Sequence, residues 1–138
     1  MKVIRSDTGQ GTVEFGLIFL LFLTLIFGIF EGSRLIFDYS IVSEAAREGV
    51  RYAIVRGNTC VLPVGSPCTA SAADIINYVK SKAVGLPVTV SVSWPGPPSG
   101  SNSPGSTVVV RVTYPFTPLV WFISAIDLSS QTQMVIAR

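Results

Sequence analysis

Hydrophobic and polar positions change rhythm several times along this chain, and each change marks an element. From Phe15 to Phe30 there is no alternation at all: Leu, Ile and Phe dominate, with no charge and no proline. As an α-helix this run rises about 24 Å. Thr12, Val13 and the first turn after Phe30 extend it toward the ~30 Å of a bilayer's hydrocarbon core, so we read a membrane span over about residues 12–33. Next, Leu35, Tyr39, Val42, Ala46, Gly49 and Ala53 recur at steps of four and three, one face of a helix. Arg34, Asp38, Glu44, Arg47, Glu48 and Arg51 fall mostly elsewhere, with Glu44–Arg47 and Glu48–Arg51 spaced to pair along the helix. No proline interrupts Thr12 to Arg56. The pattern predicts one long helix, apolar in its first half, amphipathic in its second, and stopped by Gly57-Asn58. Small residues at Ala46, Gly49 and Ala53 let another surface come close. A sheet from the same chain is the expected partner, and a free coiled-coil seam is the alternative.

After a proline-and-glycine loop, CVLPVGSPC, Ser71 and Asp74 stand at capping-box spacing. Ala72, Ile75, Ile76 and Val79 then give a short helix its apolar face, and Gly85 with Pro87 ends it. The period now drops to two. Val88, Val90, Val92 and Trp94 alternate with Thr89, Ser91 and Ser93, predicting a half-buried strand. A second runs from Thr107 to Tyr114, with Val108, Val110, Val112 and Tyr114 on one side, and a third from about Ser130 to Ile136. PGPPSGSNSPGS between the first two reads as an exposed connection. Leu119 to Ile126, too short to span a bilayer, reads as a buried short helix, or else as a membrane-resting or partner-binding patch. The predicted fold is α+β: a long N-terminal helix, a short helix and a three-stranded antiparallel sheet.

Composition narrows the chemistry. The net charge of +2, with 13% charged residues in 138, gives no electrostatic footprint for nucleic acid. With no histidine the usual general base is missing, as are the Ser-His-Asp and Cys-His arrangements and every His-ligated zinc site. We therefore expect neither catalysis nor a metal or other cofactor. Lys80, Ser81 and Lys82 have no surrounding constellation to make a Ser-Lys nucleophile. Lys2 and Arg5 before the span favour a cytoplasmic N-terminus, with the remaining domain outside. In an oxidising compartment Cys60 and Cys68 pair, a bridge worth about 2.5 kcal/mol in the loop-entropy account. Gly28 and Gly32 form a GxxxG that can bring helices together.

GQGTVEFGL at residues 9–17 and SEAAREGVRYAIV at 43–55 carry a family resemblance. The first resembles the processing site of type IV pilin-like precursors. Together the two resemble TadE-like pseudopilins, the minor-pilin-like proteins of tight-adherence (Tad, or Flp pilus) systems. The resemblance implies a leader over residues 1–9, removed by a prepilin peptidase between Gly9 and Gln10. It places Glu14 fifth and Phe15 sixth in the mature chain. Gly11 is a rival cut point, although a cut there would leave Glu14 third. The run also lacks the proline that often interrupts this family's hydrophobic segment. The implied organisation is a long helix over 10–56 and an exterior, periplasmic domain over 57–138. The implied partners are the peptidase, other pilin or pseudopilin subunits, an inner-membrane assembly platform and lipid. An uncleaved envelope protein with a binding or scaffolding domain is the rival reading, and in it Glu14 only marks the membrane boundary.

Overall fold

Helix-forming residues run without a break from Thr8 to Ile54, and they form a single helix, α1 (Thr8–Ile54). The computed structural model describes residues 8–60, 68–95, 101–119 and 124–137. After α1 come α2 (Ala72–Lys82), β1 (Thr89–Ser93), β2 (Thr107–Phe116) and β3 (Ile126–Val135). The sheet order is β1-β2-β3 and both pairings are antiparallel. The α+β arrangement is the one the sequence rhythm predicts.

The chain divides into two compact units, Met1–Leu35 and Ile36–Arg138. In the first, the large apolar side chains of α1 are mostly exposed, Phe15, Leu21 and Phe30 by 67%, 72% and 72%. Glu31 and Arg34 pair one turn apart at 3.7 Å.

In the second unit, Val42, Ala45, Ala46, Val50 and Ala53 of α1 are buried. So are Ile75 and Val79 of α2, and Val108, Val110, Val112, Tyr114 and Phe116 of β2. At Gly49, α1 packs tightly against α2 and β2: a Cβ there would stand 2.4 Å from Val79 Cγ2 and 3.3 Å from Val110 Cγ1. Glycine at this position is a requirement of the packing. Tyr52 stacks on Tyr78 across the same pair of helices, ring centroids 4.2 Å apart, with the Arg56 guanidinium 3.9 Å from the Tyr52 ring centre. Lys82 lies over Tyr78, so each tyrosine carries a cation four residues further along the chain, Lys82 in the last turn of α2 and Arg56 just past the end of α1.

Ser71 caps α2 reciprocally. The Asp74 N–H donates to the Ser71 hydroxyl, and the Asp74 carboxylate accepts from the Ser71 N–H and hydroxyl. Those bonds favour the ionised carboxylate, the hydroxyl's most, and hold Asp74 below its ordinary pKa.

Several expectations are corrected. Asp38 and Tyr39 flank the buried face of α1 on either side, so spacing alone cannot choose between them. Asp38 is the buried one, and Tyr39 is 48% exposed. The connection before β2 is not simply exposed. Ser106 is buried and Asn102 half-buried, because the segment docks on the end of α1. The third strand begins at Ile126, not near Ser130, since β2 pairs with it through Phe116↔Ile126. Leu119 and Ile126 are exposed, the latter in β3, which removes both ends of the expected buried helix. Its residues 120–123 lie outside the described residues. Pro115, in the central strand, would oppose position 87 in the β1 register, beyond the end of β1. The strand loses no ladder bond there.

Candidate functional site

Gly9, Gln10, Glu14 and Phe15 all lie in the first turns of α1. Gln10, Val13, Glu14 and Leu17 share one helix face and, with Gly9, line a shallow open surface. Phe15 stacks on Phe19 at 5.9 Å. Glu14 is exposed, and it is the sole charged residue from Thr8 to Phe30. A Cβ added at Gly9, Gly11, Gly16, Gly28 or Gly32 would meet nothing within 4 Å. The pair at 28 and 32 is therefore open surface among the described residues, available to another helix or to lipid. Among the described residues one helix is long and apolar enough to cross a membrane, spanning Gly9–Ile54 with mean hydropathy 2.5 in its most apolar window.

The small residues Ala46, Gly49 and Ala53 are buried inside the second unit and serve its internal packing. Cys60 and Cys68 are bonded, with Cα atoms 5.3 Å apart. The loop between them, 61–67, lies outside the described residues. Immediately around this bridge stands a residue the sequence rhythm did not single out. The Asn102 side-chain amide donates to the carbonyls of Arg56 (3.1 Å) and Ala70 (2.9 Å), and its backbone carbonyl accepts from the Asn58 N–H at 2.7 Å. Ala70 N–H also donates to Arg56 O at 3.0 Å. One asparagine thus fastens the end of α1, the exit from the disulfide loop and the approach to β2. The Ser-Asn-Ser-Pro-Gly stretch signals a turn, but it does not point to these partners, 46 and 32 residues away. The tyrosine–cation contacts had a signal too, the four-residue spacing of Tyr52 to Arg56 and of Tyr78 to Lys82.

Among the described residues no group of three or more His, Cys, Asp or Glu is placed to hold a metal ion. What the geometry offers is surface: an exposed apolar helix with one acid near its tip, and a small domain whose close packing is fixed by glycine, disulfide and asparagine.

Residues 9–51 match the family model described as TadE-like protein. The match covers the apolar helix, its acid and most of the amphipathic continuation, and it leaves the residues from 52 onward unmatched. Neither the curated proteins nor the solved structures contain a match to the chain.

Proposed function

We propose, from the TadE-like segment over residues 9–51, that this chain is a non-catalytic, single-span, pilin-like subunit of a Tad-type pilus or secretion apparatus. A prepilin peptidase removes residues 1–9. The N-terminus faces the cytoplasm and the domain over 57–138 lies in the periplasm. The neighbours are other pilin or pseudopilin subunits on an inner-membrane platform. The observation that carries this reading is the exposed apolar surface of α1 with Glu14 as its lone charge, inside the matched segment.

The physical logic is electrostatic. A carboxylate at the rim of an apolar helix is costly to desolvate unless it is paired. Cleavage creates an α-amino group that is cationic near neutral pH. When spans pack side by side, the ammonium of one subunit neutralises Glu14 of the next, and this pairing sets axial register while apolar contact supplies most of the association. The Gly9–Gln10 bond lies in the first turn of α1, where four N–H groups have no partner within the helix. That turn opens for the peptidase without cost to the rest of the helix.

N-terminal sequencing of the membrane-extracted protein tests the reading. Gln10 as first residue supports it, and Met1 as first residue assigns the chain to the uncleaved anchor instead. Glu14→Gln should reduce co-assembly with other pilin-like subunits, and undiminished co-assembly would remove the charge pairing from the account.

A further inference from the structure

The sheet carries almost no charge on the face turned away from the core. Odd-numbered residues form that face in all three strands, and the register sets them in rows. Ser91, Arg111 and Gln131 make one row, and Ser93, Val109 and Gln133 the next. Arg111 is the one cation in the three strands and Asp127 the one acid. Asp127 stands opposite Pro115, four residues from Gln131 along β3, or about 13 Å at the rise of a strand. That exceeds the ~8 Å screening length at physiological ionic strength. Among the described residues no ion pair reaches Arg111.

The two rows enclose an open hollow of about 400 Å³, with Pro95 at one side. Val109 forms its floor, 8% exposed although it faces away from the core. Gln131 holds the arginine in place: its Oε1 accepts from Nε, at 3.0 Å, and from Nη2. That use of the amide oxygen leaves the Gln131 NH2 to donate elsewhere, as the Nη1 side of the guanidinium also can. Among the described residues no side-chain hydrogen bond within the chain engages Ser91, Ser93 or Gln133. The hollow thus combines an apolar floor, a wall rich in N–H and O–H donors, and one guanidinium that no carboxylate of the sheet neutralises.

We propose that this hollow binds an acidic sugar. The sugar carboxylate meets the Nη1 side of Arg111, and the ring hydroxyls meet Ser91, Ser93 and the Gln131 and Gln133 amides. A C–H face of the ring rests on Val109 and Pro95. One guanidinium balances one carboxylate through charge-assisted hydrogen bonds. A phosphate monoester carries up to two charges, and neither a lysine nor a second arginine stands in these strands to balance the other. The volume of about 400 Å³ lies at the small end of ligand sites, which begin near ~300 Å³, and suits one ring with its substituents. All of these residues belong to the second unit, so the inference goes beyond the pilus reading and depends on neither membrane anchoring nor leader cleavage.

Titration of glucuronate into the isotope-labelled full chain in non-ionic detergent, followed by NMR, tests this. The Arg111 Nε–H, the Gln131 and Gln133 side-chain NH2 groups and the Val109 amide should shift saturably, with a midpoint on the order of millimolar for so open a site. Glucose and acetate, each lacking half of the ligand, should need about tenfold more. Arg111→Gln should abolish the shifts, and Arg111→Lys, a point charge without the planar fork, should recover only part of them. Should Arg111→Gln fail to fold, Ser91→Glu sets a carboxylate directly opposite Arg111, where a cross-strand pair of opposite charge is stabilising. It should fill the site from within the chain and abolish the shifts. Signals that do not move with glucuronate overturn the proposal. An equal response to glucose or to acetate also overturns it, because the hollow then reads hydroxyls or charge alone. Saturation that survives Arg111→Gln or Ser91→Glu does the same, as does tighter binding of an Asp-containing peptide than of glucuronate, which would make the hollow a protein contact.

Discussion

Gly49 offers the sharpest test of the packing argument. In Gly49→Ala the new methyl carbon would lie 2.4 Å from Val79 Cγ2 and 3.3 Å from Val110 Cγ1. Val79 cannot turn aside cheaply, because a β-branched side chain in a helix has one strongly preferred rotamer. Overpacking of this kind costs about 1–3 kcal/mol. Alanine regains about 1 kcal/mol over glycine in helix propensity. A contact this short belongs at the upper end of the first range, which leaves a net loss of about 1–2 kcal/mol. At roughly 4–8 °C per kcal/mol for a domain of about a hundred residues, Tm should fall by about 5–15 °C. The assay is thermal unfolding of the full chain in mild detergent, followed by near-ultraviolet circular dichroism, to which the stacked Tyr52 and Tyr78 contribute. Gly32→Ala, where nothing lies within 4 Å, should leave Tm unchanged or slightly raised. Combining Gly49→Ala with Val79→Ala should cost less than the sum of the two single changes, because the clash and the cavity cancel in part. A Gly49→Ala protein as stable as the parent would refute the reasoning, and with it the claim that the packing here requires glycine.

Other outcomes follow from the same structure. Reducing the Cys60–Cys68 bond should lower stability by about 2.5 kcal/mol, read as a Tm shift alongside the two-dalton gain in mass. Asn102→Ala leaves the Arg56 and Ala70 carbonyls without their side-chain donor and should cost about 1–3 kcal/mol in denaturant unfolding. Asp74 has its folded-state pKa lowered by the Ser71 bonds. Its contribution is therefore present above the ordinary carboxylate range, about pH 4, and is lost as pH falls through the lowered value. Acid unfolding of Asp74→Asn should lack that component, and an unchanged acid limb would contradict the assignment.

The order of elements was legible in the sequence because each has a pure period. Valines at every second position announced β1 and β2, and the charge-free run announced the first half of α1. The end of β3 nearer Ile126 was not legible. Ile126, Asp127 and Leu128 follow an apolar stretch whose composition suits a helix as well as a strand, and only the pairing with Phe116, Pro115 and Tyr114 decides. Gly49 was readable as a small residue on an inward stripe, but its neighbours Val79 and Val110 were not, since they are distant in sequence. Asn102 was hidden for the same reason. Its partners, Arg56 and Ala70, lie 46 and 32 residues away, and no local rule points that far.

The last residue of α1 is met from far along the chain: the Ala137 N–H donates to the Ile54 carbonyl at 3.0 Å, next to the buried Ile136. During synthesis the ribosome must therefore deliver residue 137 before that carbonyl has its partner. Until β2 and β3 are made, the stripe of Val42, Ala46 and Val50, buried in the finished domain, lacks its cover. Closure of the domain therefore waits on the residues that follow β3, and a chain cut short before Ala137 leaves the end of α1 without this bond.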